Sequence, residues 1–214
     1  MTKREKKEKA ALIVARLKEM YPNAECGLKS GGDPWRLLVM GRLSAQCTDE
    51  RVNIVCEELF KRFPDAISLA NAPLSEIEEI VRPCGIYRMK AHNIKEASRL
   101  LVEEFSGVMP NTMEQLLRFP GVGRKIANLI IGDVFGLPAI VCDTHCIRIT
   151  ARLGLYPYGL KDIYKIEMAL RELIDDSEGP DFCHRIVIFG REICSARAPK
   201  CNECPLYDLC CERK

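Results

Sequence analysis

The sequence has almost none of the alternating apolar–polar runs from which half-buried strands are made. Its best strand candidate, "GLPAIVCD" at 136–143, is short and carries a proline, so the expected fold class is all-α. No apolar run approaches the roughly 20 residues that span a bilayer, and no membrane partner is expected. The opening "MTKREKKEKA" is charged without an apolar stretch, so a secretory signal is not expected. A dominant charge is also missing: 32 Lys and Arg against 30 Asp and Glu leave a net +2. Without a strong global field, any nucleic-acid surface must be local. What remains is a soluble globular composition over 214 residues, enough for one domain or two small ones.

The punctuation that is present is helical. Residues 4–20 predict a helix with Ile13, Leu17 and Met20 on one face, stopped by Pro22. Asp33-Pro34 reads as an N-cap followed by proline at the first helical position, opening a helix through Met40. Thr48 is the N-cap expected for 49–62, with Val52, Val55, Cys56, Leu59 and Phe60 as its apolar stripe. A helix over 161–174 is predicted to bury Ile163, Ile166, Leu170 and Leu173.

There is an internal echo. "SEIEEIVRPCGIYRMKAHNI" (75–94) and "NTMEQLLRFPGVGRKIANLI" (111–130) align without a gap at an offset of 36. Matches include Arg82 with Arg118, Gly85 with Gly121, Arg88 with Arg124, and Ile94 with Ile130. Both copies carry capping-box spacing, Ser75 with Glu78 and Asn111 with Glu114. Each therefore predicts helix, glycine turn, helix.

Within the second copy, "FPGVGRKIAN" (119–128) has glycines at 121 and 123. A dinucleotide fingerprint needs a preceding strand and a third glycine in register, and neither is here. A helix start near Gly123 would instead offer free N–H groups and a positive dipole end, suited to phosphate; a plain αα-corner that packs and touches nothing is the other reading of the pattern. Lys125 falls in that first turn, where the dipole disfavours an ammonium and burial would act in the same direction. A lysine so placed can supply the neutral amine that a Schiff-base nucleophile requires. A solvated lysine meeting phosphate as a point charge is the other reading, and the residues leave both open. Asp143, before the run 144–153, reads as an N-cap whose carboxylate stays ionised and can steady a developing positive charge.

Cysteine is plentiful, at 12 residues. Seven of these, from Cys26 to Cys183, lie mostly beside apolar residues and read as small buried hydrophobes. Five crowd into 194–211, where Cys194, Cys201, Cys204 and Cys210 form C-x6-C-x2-C-x5-C. Four thiolates on one short loop can hold a tetrahedral zinc or an iron–sulfur cubane. Zinc sites usually pair two tight knuckles, and only one tight pair is present, so the cubane suits the spacing better. Cys211 is left over.

The hairpin, the "VCDTH" segment and the terminal cysteine spacing, in this order, resemble the endonuclease III family of helix-hairpin-helix DNA glycosylases with a [4Fe–4S] cluster. The resemblance runs from about residue 10 to 210. It implies two helical domains flanking a DNA-binding cleft: a six-helix barrel domain at 27–137, with the hairpin at about 112–131, and a cluster domain at 138–214. The N-terminal helix, 1–26, would pack with the cluster domain, whose loop spans 194–210. The implied activity is base excision repair: removal of oxidised pyrimidines through a lysine Schiff base, then cleavage 3′ to the abasic site by β-elimination. Lys125 would be the nucleophile and Asp143 its activator. Cys194, Cys201, Cys204 and Cys210 would hold the cluster. DNA contacts would come from Gln46 in "LSAQ", Ile86 in the first hairpin, Gly121, Val122, Gly123 and Arg124 in the second, and Arg197 and Lys200 in the cluster loop. The implied partner is duplex DNA with damaged pyrimidines or abasic sites, met by a monomer in a prokaryotic, nucleoid-associated cytoplasm.

Four positions depart from the family's pattern. Arg42 stands where an apolar residue is common, four before Gln46; on a continuous helix both would share a face and Arg42 would tune lesion choice. Solvent-directed snorkelling is the alternative. Ile126, Cys47 and Ala198 replace a common threonine, alanine and basic residue. A mismatch-adenine glycosylase of the same superfamily is disfavoured by Lys125 and by the chain stopping soon after Cys210, and a thymine-mismatch enzyme by Lys125. A non-catalytic DNA-binding or electron-transfer iron–sulfur protein would use the hairpin and cluster but neither Lys125 nor Asp143.

Overall fold

Residues 2–157 and 159–212 are described by a computed structural model. Helix α1 (Lys3–Met20) is followed by α2 (Pro34–Leu43), α3 (Asp49–Arg62), α4 (Ala66–Asn71), α5 (Leu74–Val81), α6 (Tyr87–Phe105), α7 (Met113–Leu116) and α8 (Arg124–Asp133). Then come α9 (Thr144–Arg152), α10 (Ile163–Leu173) and α11 (Gly179–Glu192). Short 3-10 turns occupy Arg82–Cys84, Cys201–Glu203 and Tyr207–Leu209. The fold is all-α, and no strand occurs among the described residues. The 136–143 segment is irregular, and Val141 N–H donates to Cys183 Sγ at 3.1 Å rather than to a neighbouring strand.

The chain divides into two compact units. One is Cys26–Phe135, with α2 to α8. Its centre is α6, which packs against α2, α4 and α5 through Ala91, Ile94, Ala97 and Leu101. Trp35 of α2 is buried there, and its indole N–H donates to Ser98 Oγ at 2.9 Å. Asp33 and Thr48 cap α2 and α3 as the sequence predicts, accepting from Arg36 N and Arg51 N. The capping boxes expected at Ser75 and Asn111 do not form. Helix α5 starts after Pro73 with no side-chain cap, placing Ser75 inside it, and α7 is capped by Thr112 accepting from Gln115 N. Both predicted hairpins are nevertheless present, with Gly85 (φ 67°) and Gly121 (φ 77°) at equivalent turns.

The other unit is Met1–Glu25 with Gly136–Lys214. Here α1 packs on α10 and α11, and α11 packs on α9. Ile166, Leu170 and Leu173 of α10 are buried as predicted, but Ile163 begins the helix at its exposed end. Arg185, 2% exposed, is held at 2.7 Å by both Glu178 and Asp181. Glu178→Ala leaves that buried guanidinium one carboxylate short and should cost about 2 kcal/mol. Lys18, and after it Arg185, holds the Glu178 carboxyl below its usual range. A depressed carboxylate contributes stability above its unfolded pKa and loses it as pH falls through the folded value. The gap between wild type and variant, read from urea midpoints, should stay constant near neutrality and close as pH drops below 4.5.

Candidate functional site

In the Cys26–Phe135 unit, the second hairpin is anchored from below. Phe119 is buried and stacks on Phe105 at 5.2 Å between centroids. Val122 is also buried, and its N–H donates to the Phe119 carbonyl at 3.0 Å. Val122, expected among the DNA contacts, thus offers neither side chain nor N–H outward; it packs the turn. Gly121 needs glycine twice over: its φ is 77°, and a Cβ there would overlap the Arg42 side chain and the Asn93 amide. Gly123 is the N-cap of α8 and supplies no side chain, so the first-turn N–H groups receive no side-chain cap. Arg124 is half-buried and Lys125 exposed in that first turn. The burial envisaged for Lys125 is absent, and its side chain is left open rather than enclosed by its own unit.

Arg42 neither shares a helix face with Gln46 nor runs out to solvent. Helix α2 ends at Leu43, and Gln46 lies beyond it in a turn with φ 56°, so the two do not share a helix face. The Arg42 guanidinium instead lies against Gly121, with Asn93 Oδ1 accepting from Nη2 at 2.9 Å and from Nε at 3.0 Å. It is a strut under the hairpin turn. Gln46 and Ile86 both project outward, Ile86 being 51% exposed, and both hold left-handed φ values of 56° and 47°. For a β-branched residue that conformation is a rarity, and such strain persists only where the surroundings enforce it.

In the other unit, Asp143 caps α9: its Oδ1 accepts from Cys146 N at 2.7 Å, and the residue is half-buried. The far end of the same helix meets the cysteine loop. Arg152 Nη1 lies 3.2 Å from Cys194 Sγ and donates to Ser195 O at 2.8 Å, while Arg148 Nη2 donates to Cys194 O at 3.0 Å. From α1, Arg16 donates to Pro205 O at 2.8 Å and pairs with Asp208. These arginine struts were not singled out from the sequence. The i, i+4 spacing of Arg148 and Arg152 after Asp143 was the signal available.

Cys194, Cys201, Cys204 and Cys210 line one pocket with Ile193, Pro199 and Tyr207. Among the described residues no three His, Cys, Asp or Glu side chains converge as ligands of one ion would. Four cysteine thiols lining one pocket are a donor set that an iron–sulfur cluster takes. Burial pushes the Cys204 and Cys210 thiols up, and the neighbouring cysteines add to the effect. Thiolates at Cys204 and Cys210 therefore need bound cations to carry their charge. The Arg152 guanidinium beside Cys194 is the kind of donor that such sulfurs accept. Arg197 and Lys200, in the same loop, are exposed. Cys211 is exposed too, tied through its N–H to Arg152 O at 2.9 Å.

A family model of the HhH-GPD superfamily base excision DNA repair proteins matches residues 39–175. The iron–sulfur binding domain of endonuclease III matches 194–210, from the first of the four cysteines to the last. An endonuclease III from Synechocystis is 46% identical over 96% of this chain and 93% of its own length. The chain belongs to the endonuclease III family. The Bacillus subtilis endonuclease III is 39% identical, covering 91% of this chain and 88% of its own. Two solved endonuclease III–DNA structures superpose along nearly the whole chain, each at 36% identity. The non-covalent complex gives a TM-score of 0.90, covering 99% of this chain and 96% of that one. The trapped covalent intermediate gives 0.91, covering 99% and 97%. Family membership accounts for the cluster loop as the family's iron–sulfur domain and for the hairpin as its helix-hairpin-helix.

Proposed function

We propose that Lys125 and Asp143 carry the chemistry of this bifunctional DNA glycosylase and abasic-site lyase. Its substrates are oxidised pyrimidines in duplex DNA. The observation that supports the assignment best is an exposed amine in the uncapped first turn of α8, immediately after a glycine turn. Lys125 Nζ attacks C1′ of the extruded nucleotide; the N–C1′ bond forms as the glycosidic bond breaks, and the departing base keeps the electron pair and takes a proton. Ring opening leaves an imine between Nζ and C1′. Loss of a C2′ proton then expels the 3′ phosphate, and water releases the amine. Asp143, a carboxylate at the mouth of α9, steadies the positive charge that grows on the sugar.

The hairpin's free N–H groups and Arg124 grip backbone phosphate. Gln46 and Ile86 fill and wedge the stack once the base has left it. The four cysteines hold the cluster, which when bound cross-links the loop that presents Arg197 and Lys200. One copy of the chain acts alone on the DNA in the bacterial cytoplasm. Incubation with duplexes that each carry one modified base tests this activity. Oxidised pyrimidines should be released with strand cleavage. Intact, DNA-binding protein that releases none would favour a binding module.

Asp143→Asn separates the cap from the charge. Asparagine caps a helix as well as aspartate, so melting should be unchanged. Base release should fall about 10²- to 10⁴-fold, the range for loss of one acid–base group. Single-turnover kinetics check it. An undiminished rate would reduce Asp143 to a cap.

A further inference from the structure

Lys90 is the largest polar anomaly in the Cys26–Phe135 unit: a lysine 1% exposed, on the central helix α6. Its Nζ donates to the carbonyl of Leu43 at 2.8 Å and to that of Cys84 at 2.7 Å. Leu43 is the last residue of α2, three before Gln46; Cys84 closes the 3-10 turn, two before Ile86. Long helical side chains lean toward the helix N-terminus, which carries the ammonium back beneath the turn that begins α6. There it meets the negative end of α2, where carbonyls lack helical partners. Burial lowers its pKa, and Arg42 presses the same way while Cys47 and Cys84 oppose it. An apolar side chain at this position would avoid the desolvation cost of a buried ammonium. What the lysine gains is a fixed link between two loops that are otherwise distant in sequence.

We propose that Lys90 is a positioning residue for base extrusion, its ammonium setting the loops of Gln46 and Ile86 at a fixed separation so that both enter the DNA stack together. The two left-handed residues, φ 56° and 47°, sit within three positions of the two clamped carbonyls, where an enforced backbone is required. This assignment rests on Gln46 and Ile86 being the wedges, and its test separates the two.

Lys90→Met, Gln46→Ala and Ile86→Ala are compared on two substrates: a duplex with one paired oxidised pyrimidine, and a single-stranded abasic oligonucleotide that needs no extrusion. Base release from the duplex should slow about 100-fold in Lys90→Met, the scale of an ångström-sized misplacement. Borohydride trapping on the single strand should stay at the wild-type rate, which a mere loss of folding would not allow. Selective loss in Gln46→Ala and Ile86→Ala, with equal loss on both substrates or none in Lys90→Met, overturns the role of Lys90 alone. No selective loss in either wedge variant overturns the wedge assignment, and the Lys90 role falls with it. If Lys90→Met does not fold, Lys90→Gln keeps two N–H donors and is read by the same comparison: a partial selective loss supports the proposal, and parallel loss on both substrates overturns it.

Discussion

Lys125→Ala is expected to bind damaged duplex yet form no borohydride-trapped adduct, with strand cleavage reduced about 10⁴-fold or more, as for other enzymes stripped of their nucleophile. Folding should not contribute to that loss. Lys125 is exposed in the first turn of α8, where alanine is the better helix former and removal of a cation relieves the dipole. Binding should lose at most one phosphate contact, a change of about one unit in the salt dependence. Lys125→Arg sharpens the result. An arginine keeps the charge but cannot give up its proton, so a phosphate-contact role would survive the change and a Schiff-base role would not. The expected outcome is an arginine variant that binds well and cuts nothing.

The second large effect belongs to the cluster loop. Wild type should be brown with about four irons per chain. Cys204→Ser should lose colour and iron together, since one of four ligands is replaced by a hard, weakly binding oxygen. The loop 201–210 is built from two 3-10 turns, with Leu206 its fully buried side chain. Little apolar burial holds it besides the arginine struts, and structural metal sites contribute on the order of 10 kcal/mol to folding. Limited proteolysis should therefore cut the variant within 194–210, and its DNA affinity should fall because Arg197 and Lys200 lose their frame. Cys56→Ala and Cys211→Ser are the controls. Cys56 is buried between α3 and its neighbours and Cys211 is exposed outside the four, so both should retain full iron.

Much of the fold was legible because its punctuation is local. Asp33, Thr48 and Asp143 cap helices as their types dictate, and the period of Val52, Val55, Cys56 and Leu59 marks a buried face. The failures came where two local signals competed. Ser75 and Asn111 had capping-box spacing, but Pro73 and Thr112 lie nearby and won the helix starts. Arg42 and Gln46 have helical spacing, yet the chain leaves the helix at Leu43, and nothing local announced that. Lys90 was least legible, since a lysine on an amphipathic helix normally reads as solvated. Its echo partner Ile126, which packs against Gly41, was the hint that this position faces inward. The struts Arg148, Arg152 and Asn93 act on residues far away in sequence, so only the folded chain reveals them.

Reduction of the wild-type reaction on abasic duplex, followed by digestion and mass mapping of the DNA-linked peptide, addresses the central assignment directly. The cross-link should fall on Lys125 and nowhere else. A cross-link on a different amine, or strand cleavage with no adduct at any lysine, would contradict it.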